Sequence, residues 1–346
     1  MDISYEKILY RIIKGRLRIK LGDLILYVKE PTDDILEESY EIYDEAYNKA
    51  YFNNILLKKD LKEILFYRDL WSPDDDKRVK ELDKQIENLK VEAYKSHFDS
   101  RKIQGIKGHI RFFEKDRVKI LAKNKSLDHI SCEGLADFAR SAWIIEASTI
   151  YGDGSNYDWD YYSVSDVMGI VSEHAIDSFE FRMIARNDPW RSMWMIGKTS
   201  GNLLGKCSTQ FTVSQTQLCS YSFMYDNVYE SSERPNDKVI EDDDLLDGWF
   251  IVQRRKYEKD KKQQEVDALT SNPKIANSQE VFVMASNQES ANEIYDLNDV
   301  VGRSTIHNRN AQIDEAGGLD FRQLHDIQRD MAMQGQQEGL NKIRGR

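Results

Sequence analysis

The chain has 346 residues, of which 40% are apolar and 11% aromatic, enough to bury a substantial core and, on length, to form two or three domains. A net charge of −11 and a pI near 5.2 argue against wholesale wrapping of a polyanion but leave room for a local basic patch. Cys132, Cys207 and Cys219 lack CxxC spacing and fit buried thiols in a reducing compartment, while no apolar run approaches the ~20 residues that cross a bilayer and Met1 to Lys20 has no signal-peptide core.

Taken in chain order, Ile13, Leu17, Ile19 and Leu21 alternate with Lys14, Arg16, Arg18 and Lys20, which predicts a half-buried strand. Gly22-Asp23 then turns the chain into Leu24 to Val28, a hairpin partner. The cations on the outer strand face could hold phosphates, but they read first as a guard against edge-to-edge pairing. Pro31-Thr32-Asp33 starts a helix whose Leu36, Tyr40, Tyr43, Tyr47 and Tyr51 share one face and are expected to be core. Ile55 to Tyr67 and Lys77 to Phe98 are predicted helices paired as a hairpin, the second opened by Pro73 and Asp74, Asp75 and Asp76, which suit the positive end of a helix dipole.

Arg101 to Lys125 carries nine Lys or Arg residues against Glu114 and Asp116, with Phe112 and Phe113 among them. Cations attract a phosphate backbone and aromatic faces stack on bases, so Arg101, Lys107, Arg111 and Arg117, with Arg16 and Arg18, form the candidate nucleic-acid surface; a solvated helix face is the plainer reading. Cys132 to Ala147 predicts an amphipathic helix buried through Leu135, Phe138, Ala142, Trp143 and Ile145, and Tyr151 to Tyr162 a loop. Helices are expected again over Val164 to His174, Ser178 to Ala185, from Asp188-Pro189-Trp190, and over Val213 to Tyr229. Trp190 and Trp194 face a core or a partner, and with Trp249 they are the candidate partner-binding residues of this half.

The acids around Asp242, Asp243, Asp244 and Asp247 precede Arg254, Arg255 and Lys256, the order that a helix dipole favours. Beyond residue 262 Gln, Asn, Asp and Lys dominate. The reading there is a polar, partly disordered tail with short amphipathic helices, one of which presents Phe321, Leu324 and Ile327 to a partner.

The search for chemistry returns little. The six histidines form no HxxxH pair and none lies at zinc spacing from a cysteine. The Asp153, Asp158 and Asp160 loop lacks the glycine and glutamate of a calcium loop. Gly197-Lys198-Thr199 has Ser192 where a phosphate loop needs its first glycine, and no nucleophile elbow is present. The expectation is no catalytic residue, no metal and no cofactor.

The Gly22-Asp23-Leu24-Ile25-Leu26-Tyr27 hairpin, Leu70-Trp71-Ser72-Pro73, Asp188-Pro189-Trp190-Arg191 and Asp242-Asp243-Asp244-Leu245-Leu246-Asp247-Gly248-Trp249 together resemble tail or baseplate-hub assembly chaperones of large contractile-tailed bacteriophages. The resemblance implies a non-enzymatic protein of the host cytoplasm, with retention in the virion left open. It would hold tail components such as tape-measure or hub subunits, without a membrane. The alternative is a nucleic-acid-binding accessory protein. The expected fold is mainly α with bundle-like helical halves: residues 1–125 with a small N-terminal β-hairpin, an aromatic-rich helical domain over 126–262, and the tail over 263–346.

Overall fold

In the computed structural model, which describes residues 3–200 and 203–270 and isolated positions between 295 and 311, the chain is mainly α with one small antiparallel sheet. The chain divides into two units, Met1–Asp260 and Lys261–Arg346, and the packing described below lies in the first. Phe321, Leu324 and Ile327 fall outside the described residues.

The first element is a helix that the alternation of charge and hydrophobe near the N-terminus did not suggest. α1 (Ile3–Lys14) buries Leu9 and Ile12 and ends at Gly15, whose φ of +60° suits glycine. Ile13 therefore belongs to α1, and the strand starts three residues later than expected. β1 (Arg16–Leu21) pairs antiparallel with β2 (Leu24–Lys29), with Leu17 opposite Val28 and Ile19 opposite Leu26. β2 also pairs with the short β3 (Thr149–Ile150), giving the order β1-β2-β3. Leu17, Ile19, Leu26 and Val28 form a small core under this sheet with Tyr157 and Val167.

α2 (Asp33–Phe52) is capped by Thr32, whose hydroxyl accepts from the Ile35 N–H. It packs against α6 (Cys132–Ser148), which Ser131 caps by accepting from the Gly134 N–H at 2.9 Å. The contact runs through small residues, with Ser39 and Ala50 of α2 and Ala136 of α6 all buried. Two expectations fail here for the same reason. Because the backbones approach over Ser and Ala, Tyr40 and Tyr51 stay exposed, as do Leu135 and Phe138 on α6. α3 (Lys58–Tyr67) buries only Leu61 and Leu65.

α4 (Pro73–Lys95) starts at Ser72, where Asp75 accepts from the Ser72 N–H at 2.9 Å. Its main partner is α5 (Ser100–Asn124), not α3, so the expected hairpin pairs different helices. α7 (Val164–Glu173) and α8 (Ser178–Arg186) open with capping boxes, Ser163 with Asp166 and Asp177 with Glu180. Then follow α9 (Trp190–Ser200), α10 (Val213–Glu230), the short α11 (Asp237–Glu241) and α12 (Asp243–Thr270).

The larger core draws on both sides of residue 125. Leu9 and Ile12, Ile86 and Ala93, and Ile106 and Ile110 join Phe181, Ile184, Leu218, Tyr225, Leu246 and the tryptophans of the later helices. Gln215 fixes α1 to α10 by donating to the Ile12 and Ile13 carbonyls at 2.9 and 3.0 Å at the end of α1, where the Ile12 carbonyl also accepts from the Gly15 N–H. Gly248 brings α12 against α4, where a Cβ would lie 2.1 Å from the Lys90 carbonyl oxygen.

Candidate interaction surfaces

The three tryptophans expected to meet a partner are core residues. Trp190 is fully buried and donates its indole N–H to Ser222 Oγ at 2.8 Å, while Ser222 donates onward to the Leu218 carbonyl at 2.8 Å. Trp194 donates to Asp226 Oδ2 at 2.8 Å, and Trp249 is buried in the same core, edge to face with Phe250. A buried indole usually finds an acceptor, and α10 supplies those of Trp190 and Trp194 at Ser222 and Asp226, one turn apart, whereas the Trp249 indole N–H is buried without one. No role in gripping a partner is left for these rings.

Asp226 is also the charged centre of this region. Lys198 Nζ lies 3.0 Å from Oδ2 and Arg191 Nη2 2.5 Å from Oδ1. Burial alone would raise this carboxyl, but donations from Trp194, Lys198 and Arg191 outweigh it and hold the group below the usual carboxylate range. The acidic run at the start of α12 is likewise consumed inside the fold. Asp242 pairs with Lys107 of α5, Asp243 with Arg186 of α8 at 2.8 Å, and Asp247 with both Lys90 of α4 (2.8 Å) and Arg182 of α8 (2.7 Å). Burial pushes the Asp243 carboxyl up in spite of Arg186 and Arg182 beside it. Each acid of the run that dipole and capping arguments explained thus has a specific distant cation, and the run acts as an ionic lock.

Two surfaces remain outside these locks. The first is apolar. Phe52 and Tyr67 are 81% and 82% exposed, and Leu56, Phe66 and Leu70 are exposed between and after them, so this stretch leaves five large side chains in solvent while Leu61 and Leu65 of α3 turn inward. Phe66 and Tyr67 meet edge to face at 6.1 Å. Alongside, Tyr43, Tyr47 and Tyr51 form a row with ring centroids 6.2 and 6.4 Å apart and planes within 14° and 5°. Burial, then Asp137 and Glu133 of α6, raise the Tyr43 hydroxyl, and burial and Glu133 do the same to Tyr47. Arg140 lies over Tyr40, 4.2 Å from the ring centre. Apart from Lys49, every charge on α2 is negative: Asp33, Asp34, Glu37, Glu38, Glu41, Asp44 and Glu45.

The second surface is basic. Arg101, Arg111, Lys115, Lys119 and Lys123 are exposed on the outer side of α5, with Phe112 65% exposed and Val118 exposed among them. Of the candidate nucleic-acid residues on this helix, Lys107 is held by Asp242 and Arg117 by Asp83 at 2.6 Å, while Arg101 and Arg111 form no ion pair among the described residues. On β1, Arg16 sits over the Tyr27 ring at 4.4 Å, and Arg18 is exposed. No single face shown here brings all six together.

Among the described residues no group of three or more His, Cys, Asp or Glu side chains is placed to hold a metal ion, and no helix is long and apolar enough to cross a membrane. An open cleft beside the ionic lock is lined by Asp83, Glu87, Lys90, Arg117, Asp247 and Phe250; Asp83 and Arg117 pair with each other, and Lys90 with Asp247. The apolar segment over 52–70 escaped sequence reasoning because its hydrophobes follow helical spacing, which ordinarily signals burial. Comparison with protein-family models, with curated proteins and with solved structures found no match.

Proposed function

We propose that the chain is a non-enzymatic assembly protein of a contractile phage tail or baseplate, working in the host cytoplasm and holding an aggregation-prone tail component such as a tape-measure or hub subunit. The observation that carries this reading is the series of large apolar side chains left in solvent between residues 52 and 70, at Phe52, Leu56, Phe66, Tyr67 and Leu70, in a chain that buries Trp190, Trp194 and Trp249 elsewhere. Large apolar side chains left in solvent this close together along a folded chain support a place where another protein sits. The tyrosine row beside it adds rings with an apolar body and a polar tip, suited to contacts of varied chemistry.

The test is co-expression with a tape-measure or hub subunit that is insoluble alone. The full chain should keep that client soluble and co-purify with it, and the variant Phe66→Ser/Tyr67→Ser/Leu70→Ser should fail to do so while retaining the wild-type melting temperature. Full client retention by that variant, or no solubilisation by the wild type of any tail component, would sink the reading.

A further inference from the structure

α2 and α5 carry opposite charge on their solvent faces, and the chain neutralises neither face. On α2, Glu37, Glu41 and Glu45 recur every four residues on the side away from the Ser39–Ala50 seam, with Asp34 and Glu38 beside them. On α5, Arg111, Lys115, Lys119 and Lys123 recur every four residues on the side away from buried Ile106 and Ile110. All of these side chains are exposed, and none forms an ion pair among the described residues, whereas Lys107 and Arg117 of the same helix, which turn inward, are both paired.

Both rows repeat every ~6 Å along their helix axes, so they can lie against each other in register over several turns. Apolar side chains stand in each charged face: Phe52 at the end of α2, and Phe112 and Val118 on α5. We propose that a second copy of this chain supplies the partner, with α2 of one copy lying along α5 of the next. The acidic complement to the basic row is already present on the same chain at the same pitch. The pairing of unlike faces either closes as a two-fold dimer, each α2 lying on the other copy's α5, or repeats head-to-tail as a ring or a filament. The two surfaces meet at Phe52, but the variants that test this contact change only charges on α2 and α5 and those that test the client surface change only Phe66, Tyr67 and Leu70, so the two failures are separable.

The experiment is sedimentation velocity on nuclease-treated full-length protein at ~50 mM and ~500 mM salt, since screening shortens the reach of exposed charges from more than 10 Å to a few ångströms. The expected result is association at low salt that is lost at high salt. Glu37→Lys/Glu41→Lys and Lys115→Glu/Lys119→Glu should each weaken it by about tenfold or more, and an equimolar mixture of the two variants should associate again, because each supplies the face that the other lacks. A monomer at both salts, charge reversals that leave association unchanged, a mixture that stays monomeric, or assemblies that nuclease treatment abolishes would each overturn the proposal.

Discussion

Replacing Asp226 with Asn tests whether the Trp194 region is held by a buried charge or by shape alone. The amide keeps the size of the carboxylate and can still accept from the Trp194 indole, so that hydrogen bond survives. What disappears is the charge facing Lys198 at 3.0 Å and Arg191 at 2.5 Å. Breaking a fully buried pair costs about 3–5 kcal/mol. Here Asp226 is buried, but the two cations keep about a fifth of their side-chain surface in water and are partly rehydrated when released, which lowers the expected loss to about 2–3 kcal/mol. Urea unfolding followed by tryptophan fluorescence should show a lower midpoint at unchanged slope, about 1 M lower for a slope near 2–3 kcal/mol/M. The pH dependence has a definite sign. A carboxyl held below its unfolded value contributes stability that is complete above about pH 4 and is lost as pH falls through the folded value, so the gap between wild type and variant should close in acid. A loss below about 1 kcal/mol at pH 7 would refute the reasoning, as would a gap that persists undiminished at pH 2 in protein that is still folded. Glu230→Gln serves as the control, because Glu230 is exposed and 4.0 Å from Lys198, and it should change stability by less than about 0.5 kcal/mol.

Gly248→Ala should destabilise by about 1–3 kcal/mol or more, because the added methyl would meet the Lys90 backbone and force α12 away from α4; a melting temperature equal to wild type would contradict that packing. The thiols should separate cleanly. Cys207 is exposed and its thiol is lowered by hydrogen bonds from Thr209 and Ser208, whereas burial raises Cys132 and pushes Cys219 up to about 11. A thiol reagent at pH 8 should label one cysteine quickly in native protein and all three only after unfolding, and rapid labelling of Cys132 or Cys219 would show that their surroundings open readily.

Local signals proved easy to read and their destinations did not. Gly22-Asp23 between an alternating run and the apolar Leu24 to Val28 announced the β1-β2 hairpin, and Pro73 ahead of three aspartates announced α4, because turn and cap chemistry is written within a few residues. α1 was missed because its interleaved charges imitate strand alternation over the window that includes Ile13 and Leu17. Aromatic spacing on α2 correctly placed the tyrosines on a shared face, yet the helix packs through Ser39 and Ala50, and small residues leave no trace in a hydrophobic pattern. The same limit applied to the surfaces. Helical spacing at Phe66 and Leu70 cannot say that no neighbour arrives to cover them, and the burial of Trp190 and Trp194 depends on Ser222 and Asp226, some thirty residues further along. The acidic run at Asp242 read as an end-of-helix feature because its cations, Lys90, Lys107, Arg182 and Arg186, are 57 to 157 residues away.

That last arrangement bears on the order in which the molecule can be completed during synthesis. Cations that leave the ribosome early, on α4, α5 and α8, have no counter-charge until the stretch from Asp242 to Asp247 emerges, so the three helices wait with half of the clasp in place. The opening of α12 then fastens all of them at once, and a chain halted short of residue 242 is left without its final latch.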